Sequence, residues 1–320
     1  MAQEHPANVV NKKQILVLAG PTSSGKSSLA LDLCKTIGAE IMSADSRQIY
    51  KGMDIGTGKI PFDNAVEVTK SDNCWLVDGV NIWGYDLVNP DQYFSAYDYA
   101  DFALKRMGKL IEQEKTTFLV GGTGFYIDMV TGRSKPSNII PDLELRAELE
   151  KESLGNLQKK LMSLNISMYN SIDQNNSVRI IRAIEKELNK ENTSPPLPYL
   201  ENYTFKYVGL SAPNDFLFDR VDKWLEKSWD NCLIDEVKAL IDRGFGPSPK
   251  LQGLVYKSVV TYLNNALSES EAKQKACFDL HAYIRRQLTW FRKNEEIEWF
   301  DVSVHDKKTL AQIILDKYLS

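Results

Sequence analysis

Gly20-Pro-Thr-Ser-Ser-Gly-Lys-Ser27 follows the short apolar run Gln14-Ile-Leu-Val-Leu-Ala19 and precedes a stretch in which Leu29, Leu33 and Ile37 recur at helical spacing. The eight residues fit G-x-x-x-x-G-K-[ST] at every required position. The apolar run reads as a strand buried on both faces, and Gly38 stands where a helix stops. A second short run, Glu40 to Ser43, ends in Ala44-Asp45-Ser46. Strand, glycine-rich loop, helix and strand make one βαβ unit, which implies a parallel sheet. In such a loop the backbone N–H groups point inward at phosphate oxygens, and the helix dipole assists them. Gly20, Pro21, Thr22, Ser23, Ser24, Gly25, Lys26 and Ser27 are therefore expected to cradle a phosphorylated ligand, with Lys26 as a point charge and the Ser27 hydroxyl as a ligand for Mg²⁺.

The sheet pattern resumes further along. Residues 91–113 read as a helix, and Thr116 to Val120 as a third buried strand ending in Gly121-Gly122-Thr123. From Thr131 to Leu200 the signals are mainly helical: Asp142 to Glu152, Leu154 to Leu164 and Val178 to Leu188. This stretch closes on the linker-like Thr193-Ser-Pro-Pro-Leu-Pro198. Phe205 to Leu210 reads as a returning strand, helical stretches follow at 214–243, 252–265 and 269–294, and Ile297 to Phe300 is a short last strand. The expected fold class is α/β: a P-loop NTPase-like parallel sheet core, residues 1–130 and 201–320, split by a mainly helical insertion, residues 131–200.

Composition bounds the function. The 320 residues carry 39 Lys+Arg against 43 Asp+Glu, a net charge of −4, so the chain is not coated with basic charge. Local charge, not the sum, decides nucleic-acid binding. Four cysteines, Cys34, Cys74, Cys232 and Cys277, show no C-x-x-C pair and are expected to be buried thiols in a reducing cytoplasm. No apolar run reaches ~18 residues, so no membrane helix is expected. Met1 to Lys13 are polar and read as a frayed start, not a signal peptide.

The loop specifies a phosphorylated ligand, not ATP hydrolysis, which also requires a carboxylate ending a buried strand to hold Mg²⁺. The third strand ends in Gly121-Gly122. Trp75-Leu-Val-Asp78 offers an acid after an apolar run, which reads first as a turn aspartate and only second as a metal ligand. Asp45 lies on the carboxyl edge of the sheet beside the loop, where ligands bind. It reads either as a helix cap or as a base that takes a proton from a nucleophile. His281-Ala-Tyr-Ile-Arg-Arg-Gln-Leu-Thr-Trp-Phe-Arg-Lys293 holds four Lys/Arg, three aromatics and no acid. It reads as an RNA-backbone stripe, or as a solvated face with Trp290 and Phe291 in the core. Trp224, Trp229 and Leu233 read as core.

The residues also carry a resemblance. The phosphate loop, then Ser43-Ala-Asp-Ser-Arg-Gln-Ile-Tyr50, then Lys51-Gly-Met-Asp-Ile-Gly-Thr-Gly-Lys59 resembles the N-terminal signature of the tRNA dimethylallyltransferases, the isopentenyl transferases. Gly121-Gly-Thr-Gly-Phe-Tyr126, Arg179-Ile-Ile-Arg-Ala-Ile-Glu185 and Arg285-Arg-Gln-Leu-Thr-Trp-Phe-Arg292 agree in family order, so the likeness covers residues 15–300. The chain departs from the family pattern at Asn81-Ile-Trp-Gly-Tyr85, at Val178 and at Val255.

The resemblance implies transfer of a dimethylallyl group from its diphosphate to N6 of adenosine 37 of tRNA, in the cytoplasm, by a Mg²⁺-dependent monomer. It implies that residues 20–27 hold the diphosphate and that Asp45, Thr123 and Arg220 are catalytic. Asp45 would be the base on N6, Thr123 would lie at the reacting region, and Arg220 would grip the diphosphate. It further implies tRNA contacts, to the anticodon stem-loop, by Asp45, Ser46, Arg47, Gln48, Thr123, Arg146, Arg179, Arg182, Arg285 and Arg286. The insertion's charge, ten Lys+Arg and nine Asp+Glu, gives this no independent support. Alternatives on the same loop are an adenylate isopentenyltransferase acting on free AMP, ADP or ATP, a small-molecule kinase, and a non-catalytic RNA-binding protein with a vestigial loop.

Overall fold

The structure, a computed structural model, describes residues 13–60, 66–135, 139–200 and 203–319; Met1 to Asn11, Lys12 and the rest of the chain lie outside them, so most of the expected frayed start does too. The chain divides into two compact units, one of residues up to 134 with 198 onward, the other Lys135–Leu197.

In the first unit the strands are β1 (Lys13–Ala19), β2 (Glu40–Ser43), β3 (Val68–Ser71), β4 (Cys74–Val77), β5 (Val80–Trp83), β6 (Thr117–Gly121), β7 (Tyr203–Ser211) and β8 (Glu298–Asp301). They form one sheet in the order β3-β4-β5-β2-β6-β1-β7-β8. From β5 to β8 every pairing is parallel. The early helices are α1 (Lys26–Ile37), α2 (Ala96–Glu112) and α3 (Gly124–Val130). The core lies on the sheet faces: Leu16 and Leu18 of β1, Leu29 and Leu33 of α1, Phe118 of β6 and Val208 of β7 are each at most 3% exposed. Strands covered on both faces have no solvent side, which is why β1 and β6 carry the apolar runs Ile15–Ala19 and Phe118–Val120.

Register decides where the chemistry sits. Ala19 pairs with Gly121 and with Gly209, and Ser43 pairs with Val120. The phosphate loop, Asp45 and Gly122-Thr123 thus leave the sheet side by side at its carboxyl edge.

Asp78 is not at that edge. β4 runs antiparallel to β5, so it ends at the opposite edge. Asp78 and Gly79 (φ 52° and 79°) form the tight turn into β5, and the Asp78 carboxylate is paired with Lys35. The turn reading of Asp78 is therefore the correct one, and the metal-ligand reading is overturned.

The second unit holds α4 (Leu143–Leu149), α5 (Leu154–Leu164), α6 (Ile166–Ser171) and α7 (Ser177–Leu188). Leu149, Leu157, Leu161, Ile180 and Ile184 fill its small core. Glu185 is fully buried within it and is held by Arg146 at 2.9 and 3.0 Å, by Arg182, and by the Asp142 N–H at 2.6 Å. Ionic pairing thus fixes α4 to α7.

The remaining helices belong to the first unit: α8 (Asn214–Ser228), α9 (Ile234–Leu240), α10 (Leu254–Leu263), α11 (Glu269–Phe291) and α12 (Lys307–Ile314). The expected single helix at 214–243 is interrupted by π turns at Trp229–Leu233 and Ile241–Phe245. The cysteines are all free, but only Cys34 is buried and Cys232 is exposed, which corrects the expectation of four buried thiols. Among the described residues no helix is long and apolar enough to cross a membrane.

Candidate active site

The phosphate loop is built by two backbone constraints. Gly25 precedes α1 with φ 87°, a conformation that L side chains rarely adopt. Gly20 (φ 146°) passes so close to β7 that a Cβ there would collide with the Leu210 carbonyl. The resulting turn aims the loop into a cavity of about 320 Å³. Thr22, Ser23, Gly25, Lys26 and Ser27 line that cavity, together with Asp45, Arg47, Gln48, Gly121, Gly122 and Arg220. Gly20, Pro21, Ser24, Ser46 and Thr123 are not among the residues that line it.

Lys26 is 8% exposed. Its Nζ donates to the Pro21 carbonyl at 2.6 Å and to Ser24 Oγ at 3.4 Å. Burial brings its pKa down to about 8, against the opposing attraction of Asp45. Arg220, on α8, lays its guanidinium against Gly25, with Nη2 3.7 Å from where a Cβ would stand. Ser27 is exposed at the first turn of α1. Two cationic side chains thus converge on one glycine-rich loop.

Asp45 leaves β2 directly. Its Oδ1 accepts the Arg47 N–H at 2.9 Å. Burial raises its pKa above the ordinary aspartate value, and the Arg47 N–H and the charges of Lys26 and Arg47 oppose that shift. Next to it, the Thr123 hydroxyl accepts the Ser46 N–H at 2.9 Å and donates to Ser46 Oγ at 3.2 Å. The Thr123 N–H donates to the Ala44 carbonyl at 3.1 Å. Thr123 therefore fixes the turn that carries Asp45.

Arg47 Nη2 donates to the carbonyls of Lys250 and Gly253, each at 3.1 Å. Gln48 is 8% exposed and is used internally, accepting from Ser43 Oγ and donating to the Thr57 carbonyl. Arg285 and Arg286 are exposed on α11, over the rings of Phe218 and Tyr283 respectively. Arg146, Arg179 and Arg182 belong to the helical unit. There Arg146 and Arg182 pair with Glu185, while Arg179 is exposed.

Several residues at the cavity carried no expectation of a place in the site. Trp224 was expected in the core; Trp229 and Leu233 are buried there, but Trp224 lines the cavity one helical turn from Arg220. Tyr283, Leu280 and Leu254 also line it, as do Gly56, Thr57 and Gly58. Glu236 of α9 stands behind the 52–58 segment. It accepts the backbone N–H groups of Asp54, Ile55 and Gly56 at 2.9, 2.6 and 3.1 Å and the Tyr256 hydroxyl at 2.7 Å. Phe291 is buried at 3%, whereas Trp290 is 37% exposed with its Nε1 on Asp128. No group of three or more His, Cys, Asp or Glu among the described residues is placed to hold a metal ion.

The arrangement can neutralise a diphosphate and, a short distance away, accept a proton on a carboxylate. The IPP transferase family model matches residues 48–294. A tRNA dimethylallyltransferase of Bacillus cereus (strain AH820) is 33% identical over 306 residues, covering 93% of either chain. One from Alkaliphilus oremlandii is 35% identical over 317 residues, covering 96% of this chain and 97% of the relative. The full-length tRNA isopentenylpyrophosphate transferase of Bacillus halodurans has a similar structure, with TM-score 0.67 and 31% identity over 95% of this chain and 94% of that one. A eukaryotic dimethylallyltransferase acting on tRNA, 17% identical with TM-score 0.72 over 95% of this chain and 78% of that one, shares the fold. With a family model running from Gln48 to Asn294 and relatives matched along nearly the whole length, the chain belongs to the IPP transferase family.

Proposed function

We propose that this chain is a tRNA dimethylallyltransferase: it transfers the dimethylallyl group of dimethylallyl diphosphate to N6 of adenosine 37 in tRNA and releases diphosphate. The observation that carries the reading is the single cavity into which the phosphate loop, Arg220 and Asp45 all open.

Diphosphate leaves only when its charge is neutralised. Lys26, Arg220 and the loop N–H groups of Ser23, Gly25, Lys26 and Ser27 supply that neutralisation. The exposed Ser27 hydroxyl beside them suits Mg²⁺, which takes few protein ligands and completes its shell with phosphate oxygens and water. That fits a site without a carboxylate cluster. When bound, Mg²⁺ adds charge neutralisation on the diphosphate. As the C–O bond breaks, its electron pair leaves with the diphosphate. The N6 lone pair forms the new C–N bond, and the N6 proton passes to Asp45. Thr123, through Ser46, holds the turn that aims Asp45.

The acceptor base has to leave its stack to enter a pocket, which costs least in a single-stranded loop. We assign tRNA contact to Arg179 of the helical insertion (131–200, within the core 1–130 and 201–320), to Arg285 and Arg286 on α11, and to the Asp45–Gln48 turn. Arg146 and Arg182 contribute by holding the insertion's shape through Glu185. The enzyme works as a cytoplasmic monomer, where its tRNA is.

Labelled dimethylallyl diphosphate, Mg²⁺ and either unmodified tRNA or AMP, followed by nucleoside mass analysis, test this. Label on a tRNA adenosine alone is expected. Label on AMP alone would assign the chain to free adenylate. A kinase reading would need ATP consumption, for which β6 ends at Gly121 and runs on into Gly122 without an acid.

A further inference from the structure

We infer that Gln287 is a positioning residue for the transfer reaction, its side-chain amide locking the phosphate loop to the loop after β6; this rests on reading the cavity as the donor site.

Gln287 lies on the inner face of α11, 5% exposed. Its Oε1 accepts the Thr22 N–H at 2.9 Å, and its Nε2 donates to the Gly122 carbonyl at 2.9 Å. Thr22 follows β1 and Gly122 follows β6. These strands pair up to Ala19 and Gly121, so beyond that point their ladder no longer joins them. One amide replaces the missing rung. Its orientation is fixed, because the flipped amide would set N–H against N–H and C=O against C=O.

The same helix face continues the tethering. Trp290, one turn later, donates to Asp128 at 2.8 Å. Gly122 directly precedes Thr123, whose hydroxyl fixes the Ser46 turn beside Asp45. The amide therefore sets the spacing between the diphosphate grip and the proton acceptor, where small misplacements are costly to the rate. Glutamine suits the position because it offers one acceptor and one donor at equal reach. Ionised glutamate keeps the acceptor but has no proton for the Gly122 carbonyl, and methionine keeps only the length.

The test compares Gln287→Met and Gln287→Glu with the unaltered chain. For Gln287→Met, kcat for label transfer is expected to fall roughly 10- to 100-fold. Affinity for inorganic diphosphate should fall roughly 5- to 10-fold, with KM for tRNA changed less than about 3-fold and the Thr22 amide exchanging faster with deuterium. For Gln287→Glu, the activity ratio to the unaltered chain should rise as pH falls, since protonation restores the donor; taking the ratio cancels the titration of Asp45. Unchanged kcat and diphosphate affinity in both variants would overturn the inference. So would losses in both variants that follow thermal stability alone with a pH-independent ratio for Gln287→Glu. If the unaltered chain transfers no label, the transferase reading fails by itself, and diphosphate affinity with Thr22 exchange still decides the role of Gln287.

Discussion

Lys26 Nζ donates to the carbonyl of Pro21, 2.6 Å away in its own loop. The ammonium that is to meet the diphosphate is thus held on the loop's backbone, and burial leaves it with a pKa of about 8. Below that pH it is charged; above it, the charge is lost. A bound polyanion favours the charged form, so diphosphate binding has Lys26 take up a proton above pH ~8. Calorimetric titration with inorganic diphosphate should give an affinity that weakens as pH rises through about 8, with proton uptake visible as a buffer-dependent enthalpy. Lys26→Met should bind more weakly and lose that dependence between about pH 7 and 9.

Asp45 titrates in the opposite sense. A base must be ionised to accept the N6 proton, and burial raises the pKa of this carboxyl. The activity should therefore fall on the acid side, at a higher pH than an unperturbed aspartate would give. Asp45→Ala should lower turnover roughly 10²- to 10⁴-fold while inorganic diphosphate still binds. Equal loss of diphosphate binding would make Asp45 a structural cap instead.

Glu236 gathers three successive backbone N–H groups of the 54–56 segment and the Tyr256 hydroxyl. Removing the carboxylate leaves those donors without their acceptor, at about 1–3 kcal/mol for a buried group. Glu236→Ala should lower the unfolding midpoint in denaturant. It should also loosen the cavity wall formed by Gly56, Thr57 and Gly58, read as faster amide exchange there. Tyr256→Phe removes one neutral partner and should cost less.

The parts of this architecture that the sequence exposes are the local ones. β1, the loop, α1 and β2 are consecutive, and each shows its own period or glycine constraint within a few residues. The β3–β4–β5 meander escaped because its strands have four residues each and β3, Val-Thr-Lys-Ser, is mostly solvent-facing. The signal that would have found it is Asp78-Gly79, a hairpin turn pair between apolar runs. Gln287 and Glu236 were invisible for another reason. They reach residues 265 and 182 positions away, and no local pattern tells an inward glutamine on a helix from an outward one. Trp224 was misplaced because helical spacing reports a shared face without saying whether that face meets core or cavity.

The insertion's arginines separate by what they touch. Burial alone would raise the pKa of Glu185, but the Arg146 hydrogen bond, the Asp142 N–H and the charge of Arg182 bring it below the ordinary value. A depressed carboxyl contributes stability above its unfolded pKa and loses it as pH falls through the folded one, so this unit should lose stability in acid. Arg146→Ala removes one partner of a fully buried charge, a change that costs up to about 3–5 kcal/mol when no second partner remains. Arg182 does remain, so the single variant should lose less and Arg146→Ala/Arg182→Ala more, read as loss of amide protection across α4 and α7. Arg179 is exposed, so Arg179→Ala should leave that protection unchanged and raise KM for tRNA, with a shallower dependence of RNA binding on salt, as expected for one lost phosphate contact. The reverse pattern, Arg179 moving stability and Arg146 moving only RNA binding, would reject this division between a residue that holds the insertion and one that meets the RNA.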